Sequence, residues 1–94
     1  MKETRNFGER LAQQMALEQE VVGIGWLLDD LHRLGVDALA DFKDIDSQEL
    51  FMRWKSLTHK DNSLALCIFR CAVYLANTPV ASRDPKLSKW WNWA

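Results

Sequence analysis

The residues best suited to chemistry in this sequence are two cysteines and two histidines. Cys67 and Cys71 lie four positions apart, whereas His32 and His59 are far apart along the chain. A zinc site of this composition typically places its cysteines on a turn and its two histidines within one helical turn of each other. A catalytic thiolate needs a base beside it, and cysteines in a strongly apolar segment are usually inert core residues. The sequence therefore predicts neither a catalytic cysteine nor a metal site.

Carboxylates are more numerous, but their spacing does not indicate a catalytic pair or a calcium loop. Asp44 and Asp46 resemble the start of a calcium-binding loop, yet Lys55 occupies the position where such a loop carries its last acidic ligand. General acid–base catalysis needs a carboxylate in an apolar cleft, and Asp29 and Asp30 read instead as part of a solvated helix face. We therefore expect a protein that is not an enzyme and that has no cofactor.

The elements that position these residues are helices. Apolar residues alternate in steps of four and three along the first third of the chain, which predicts one helix face. They are Leu17, Val21, Ile24, Leu28 and Leu31. Gly23 and Gly25 interrupt this pattern and predict a bend between Val22 and Trp26. Gly35 followed by an apolar residue predicts a left-handed end to the helix.

Two further helices have recognisable ends. Asp46 with Glu49 has the spacing of an N-terminal cap, so a helix is predicted to begin at Ser47. Asp61 or Asn62 can cap the next helix, which Pro79 must stop. Of the 13 residues from 64 to 76, only Arg70 is not apolar. A helix that is apolar on nearly every side belongs at the centre of a bundle.

The sequence thus predicts an all-α fold, a compact single-domain bundle of four to five helices around a central apolar helix at about residues 62–77. Residues 1–78 would form the bundle. Residues 79–94, here called the C-terminal arm, would carry a short Trp-rich helix packed on the bundle or on a partner. We expect Arg70 to serve the structure, either by reaching a carboxylate such as one in the 41–46 segment or by extending to the bundle edge. If it is exposed among apolar residues, it would instead mark an interface.

Charge is distributed unevenly although the net charge is only −1. Positions 29–49 hold seven acidic and two basic residues, whereas positions 50–60 hold three basic residues and no acidic one. The basic residues Arg53, Lys55 and Lys60 could dock on a charged partner. With Trp54 and His59 they also suggest a nucleic-acid-binding turn at residues 53–60. We disfavour that alternative, because the helix that would read the bases has almost no polar face.

The C-terminal arm holds three of the five tryptophans, Trp90, Trp91 and Trp93. A short helix from Leu87 would turn Trp90 and Trp91 toward the bundle and leave Trp93 partly free. Tryptophan is enriched in interface hot spots, so these three residues are the predicted apolar contact with a partner.

We therefore expect a small protein-interaction module, an adaptor, inhibitor or regulator, whose partner is another protein or a second copy of the chain. A homodimer is the favoured assembly. No apolar run reaches the length of about 20 residues that a membrane span needs. The polar first ten residues do not resemble a secretory signal, which favours a cytoplasmic location.

Overall fold

The computed structural model describes residues 7–93, and this part of the chain contains four α-helices and no strand. The helices are α1 (Phe7–Glu20), α2 (Leu28–Arg33), α3 (Ser47–Thr58) and α4 (Ser63–Asn77). Short 3-10 turns lie at Gly25–Leu27, Leu39–Phe42, Val80–Ser82 and Trp90–Trp93. The all-α prediction is confirmed.

Helix α4 lies at the centre of the molecule. Seven of its residues are buried: Ala65, Cys67, Ile68, Phe69, Cys71, Ala72 and Leu75. It packs against α3, against the Leu39–Phe42 turn and against the Trp90–Trp93 turn. Trp54 from α3 is fully buried and meets Phe69 edge to face, with ring centroids 6.2 Å apart. The prediction of a central apolar helix is therefore confirmed.

Gly23 and Gly25 lie in the break that separates α1 from α2, where the sequence predicted a bend. Gly23 has φ of +92°, a conformation that side-chain-bearing residues adopt only with strain. Leu17, Val21, Ile24 and Leu31, which lie before, within and after the break, are nevertheless buried, and Leu28 is partly buried. The apolar face thus continues into the core although the helix itself is interrupted.

The predicted helix ends are present as hydrogen bonds. The amide of Val36 donates to the Leu31 carbonyl at 2.8 Å across Gly35, whose φ is +84°, which is the predicted left-handed close. Asp46 Oδ1 accepts from the amides of Gln48 and Glu49 at 2.9 and 3.3 Å. Asn62 Oδ1 accepts from the Leu64 amide at 3.0 Å and so caps α4.

Arg83 fastens the C-terminal arm to the end of α4. Its guanidinium donates to the carbonyls of Leu75 and Thr78 at 3.0 and 3.1 Å, and it pairs with Glu20 at 3.0 Å. These bonds satisfy carbonyls that the end of a helix would otherwise leave without a partner. The sequence offered no pattern that assigned Arg83 this role.

Within residues 7–93, no helix combines the length and the apolar character that crossing a membrane requires.

Candidate functional site: the tail cleft

The tryptophans of the C-terminal arm do not face the directions that the sequence predicted. Trp90 and Trp93 both pack against the core, whereas Trp91 is half exposed. The arm ends in a 3-10 turn rather than an α-helix. Because residues three apart eclipse each other in a 3-10 turn, Trp90 and Trp93 share the inner side. The sequence predicted that Trp93 would be the tryptophan left partly free, but Trp93 packs against the core and Trp91 is the more exposed one.

Trp93 is held by three contacts. Its ring lies 5.7 Å from that of Tyr74, its Nε1 donates to the Leu87 carbonyl at 2.8 Å, and its own carbonyl accepts from Arg70 at 3.3 Å. A half-buried tryptophan with its indole N–H satisfied is a fixed part of the fold. The arm is therefore anchored by its last described residue.

Arg70 has a structural partner, but it is not the predicted one. Its guanidinium donates to the Trp93 carbonyl instead of pairing with a carboxylate of the 41–46 segment. The side chain is only partly exposed and so lies at the edge of the core.

A cleft opens between the arm and the α1–α2 break, and we call it the tail cleft. It has a volume of about 420 Å³. Its walls are formed by Val22, Pro85, Ser88, Lys89, Trp90 and Trp91. Trp90 and Trp91 meet edge to face at 5.6 Å, so one supports the other. The cleft therefore has an exposed apolar wall at Trp91 that is held in place by the Trp90 ring.

Gly23 lets the arm approach the break closely enough to form this cleft. A Cβ atom at Gly23 would lie 2.8 Å from Trp90 Nε1, which is too close for real atoms. The glycine therefore serves both the positive φ and the packing of the arm. Sequence reasoning assigned the glycines to a bend but did not connect them to the tryptophans, because nothing in the spacing joins positions 23 and 90.

Exposed apolar side chains lie on α1 as well as at the mouth of the tail cleft. Val22, at the mouth of the cleft, is 65 % exposed, and Leu11 and Met15 on α1 are also exposed. Leu11 and Met15 are four residues apart and therefore lie on one helix face. Sequence periodicity alone could not identify this face as exposed, because it cannot tell a buried stripe from an exposed one.

The predicted basic surface at residues 53–60 is largely committed to internal contacts. Trp54 is buried, and its Nε1 donates to Asp30 Oδ2 at 3.0 Å. Lys60 Nζ contacts the same carboxylate atom at 3.2 Å, and Lys55 pairs with Asp61 at 3.6 Å. Of the basic residues in the segment, Arg53 is exposed and pairs with no carboxylate within residues 7–93.

The acidic segment is also partly internal. Asp30 and Asp37 are buried, and Asp37 Oδ1 lies 2.7 Å from His32 Nδ1. Asp41 accepts from the amides of Asp37 and Ala38 at 3.0 Å. Several of these carboxylates therefore stabilise turns, which leaves a smaller exposed acidic surface than the sequence suggested.

The cysteines lie in the core. Burial raises the pKa of the Cys71 thiol from its usual value of 9.0 to about 11, so it is protonated at neutral pH. Its Sγ lies 3.7 Å from the Leu87 carbonyl, the same oxygen that Trp93 contacts. Among the described residues, no group of three His, Cys, Asp or Glu side chains is arranged to hold a metal ion.

Comparison with known proteins identifies a family but no individual relative. No curated protein and no solved structure matches the chain. Residues 11–94, which include α1 from its second turn, the tail cleft and the whole arm, match the family described as Cdd1, pathogenicity locus. The match covers most of the sequence, and the chain belongs to the Cdd1 family.

Proposed function

We propose that this chain is a non-enzymatic protein-interaction module, an adaptor, inhibitor or regulator, that binds its partner at the tail cleft. The observation that carries the proposal is Trp91, a tryptophan that is half exposed yet supported from behind by Trp90. Tryptophans in this setting are the residues that most often dominate the free energy of protein association.

The surface around Trp91 supports a protein as the partner. Exposed apolar side chains lie both in the cleft wall, at Val22, and on the preceding helix α1, at Leu11 and Met15, which suits a partner that contributes several apolar side chains. Lys86 is exposed, and Lys89 is an exposed residue of the cleft wall. In the described part of the chain neither lysine pairs with a carboxylate, so an acidic residue in the partner would complement this rim.

Within this proposal, two copies of the chain pair through the same surface when no other partner is present. A two-fold contact brings the same patch of both copies together, so Trp91 of each copy would cover the apolar wall of the other. Arg53, Lys55 and Lys60 then have a secondary part at most, because two of the three already pair with carboxylates of their own chain.

Site-specific photo-crosslinking tests the proposal. A photoreactive phenylalanine analogue replaces Trp91 in one protein and the equally exposed Met52 of α3 in another. Both proteins are expressed in the native host and irradiated. We expect discrete protein adducts from position 91 and none of the same mass from position 52. Identical adducts from both positions, or none from position 91, would contradict the proposal.

The alternative function is nucleic-acid binding, and the same experiment separates it. Trp54 cannot stack on a base at residues 53–60 because it is fully buried. An adduct at position 52, which adjoins Arg53, that nuclease digestion removes, with no protein adduct at position 91, would favour this alternative.

A further inference from the structure

A second pocket lies beside the C-terminal arm at Trp93, and we propose that it binds an oxyanion, a phosphate or carboxylate group. It has a volume of about 280 Å³ and lies between the start of α3, the end of α4 and the Trp93 ring. We call it the Arg70 pocket. It shares no wall residue with the tail cleft, so the inference does not depend on the proposed function.

The first argument is the charge of Arg70. This residue is the only charged side chain in a helix that is otherwise almost entirely apolar, and it is partly buried. In the described part of the chain it pairs with no carboxylate, and its hydrogen bond to the neutral Trp93 carbonyl engages one guanidinium nitrogen. A partly desolvated guanidinium with remaining donors is a strong site for a planar or tetrahedral oxyanion.

The second argument is that the rest of the pocket supplies donors. Ser47 and Thr78, which both carry hydroxyl groups, line it. The Tyr74 hydroxyl oxygen accepts from the Asp84 amide at 2.7 Å, which leaves the phenolic proton available to donate. A pocket lined by one cationic residue and three hydroxyl-bearing residues favours an anionic ligand over a neutral or cationic one.

The carboxylate next to the pocket is directed elsewhere. Asp46 immediately precedes Ser47, and its Oδ1 already accepts from two amides of the first turn of α3. Those bonds hold its negative charge at the helix N-terminus and reduce its repulsion of an anion beside Ser47. Asp44 is exposed to solvent, where its charge is screened.

An NMR titration tests the inference with two probes. Inorganic phosphate and acetate are added separately to the 15N-labelled full chain, with sodium chloride at matched ionic strength as the control. We expect saturable shifts confined to the amides around Ser47, Thr78 and the Arg70 side chain. Phosphate should bind more tightly than acetate, because it carries more charge and more acceptor oxygens. Tighter binding of acetate would assign the site to a carboxylate.

Variants then locate the site. Arg70→Gln removes the charge but keeps an amide that can donate to the Trp93 carbonyl, and we expect it to weaken phosphate binding at least about tenfold. Ser47→Ala and Thr78→Val leave the Arg70–Trp93 bond in place and should each weaken binding by about fivefold. Arg53→Gln, the matched loss of an exposed arginine, should have no effect.

Two outcomes would overturn the inference. One is that, with both phosphate and acetate, the NMR shifts spread over the protein surface and do not saturate. The other is an unchanged phosphate affinity in Arg70→Gln or, if that variant does not fold, in both hydroxyl variants.

Discussion

Trp54 in the helical bundle and Trp93 in the C-terminal arm are held by the same kinds of contact but differ in burial and in the elements they connect. Each packs its ring against an aromatic neighbour and donates its Nε1 hydrogen to an oxygen. Trp54 is fully buried, and its acceptor is the carboxylate of Asp30 on another helix, 24 positions away. Trp93 is half buried, and its acceptor is the Leu87 carbonyl of its own arm.

The difference lies in what each tryptophan connects. Trp54 ties α3 to α2 and α4, so the bundle depends on it. Trp93 ties a short arm to one helix, α4, by packing from outside against a core of buried residues that it does not join. We therefore expect the loss of Trp54 to destabilise the whole chain and the loss of Trp93 to affect mainly the arm.

Trp54→Ala should have the largest effect, a loss of about 3–5 kcal/mol in the free energy of unfolding. It leaves a cavity in the core and removes a hydrogen-bond donor from the buried carboxylate of Asp30. Urea unfolding followed by circular dichroism measures the change. Met52→Ala, an exposed position on the same helix, should stay within about 0.5 kcal/mol of the original protein. A loss below about 1 kcal/mol in Trp54→Ala would contradict the view that the whole bundle depends on Trp54.

Trp93→Ala should reduce stability by about 2 kcal/mol, because the ring is only half buried and one hydrogen bond is lost. Trp93→Phe keeps an aromatic ring beside Tyr74 and should lose about half as much. The same urea experiment gives both values. If Trp93→Ala were as destabilising as Trp54→Ala, the arm would be part of the main core.

Gly23→Ala and Gly35→Ala form a matched pair of variants. We expect them to lower the free energy of unfolding by about 2 and about 1 kcal/mol respectively. Both glycines have positive φ, which costs alanine roughly 1 kcal/mol or more. Only at Gly23 would the new Cβ also collide with Trp90, whereas nothing lies within 4 Å of it at Gly35. Thermal unfolding of both variants isolates the contribution of arm packing. Equal losses would mean that Trp90 moves aside at no cost.

Trp91→Ala should leave stability within about 0.5 kcal/mol, the smallest effect of the series. Its effect should fall on association instead. Light scattering coupled to gel filtration should show a dimer for the original chain and a monomer for the variant, since Trp91 is the centre of the proposed contact. A monomer in both cases would refute self-association and leave the crosslinking experiment to test a different partner.

Much of the fold was predictable because it follows from local signals. The left-handed turn at Gly35, the cap at Asp46 and the stop at Pro79 depend on residues a few positions apart, so the sequence alone identifies them. The apolar run at residues 64–76 likewise indicates a central helix without knowledge of its neighbours.

The candidate site was less predictable because its parts are distant in sequence. The tryptophans were identified as a group, but which one is exposed depends on a 3-10 turn that composition does not distinguish from an α-helix. The burial of Trp54 against Asp30 depends on how α2 meets α3. Counting charges along the chain likewise could not reveal that Lys60 pairs with Asp30, because the two residues are 30 positions apart in the sequence.

The fastening of the arm by Arg83 and Tyr74 has a consequence for the order in which the chain opens. The contacts of Arg83 with Leu75 and Thr78, and of Tyr74 with Asp84, join residues ten or fewer positions apart. Contacts this local close quickly and can be broken without separating α3 from α4. We expect the arm to exchange its amide hydrogens as a unit of its own, opening and reclosing many times while the bundle beneath it stays folded.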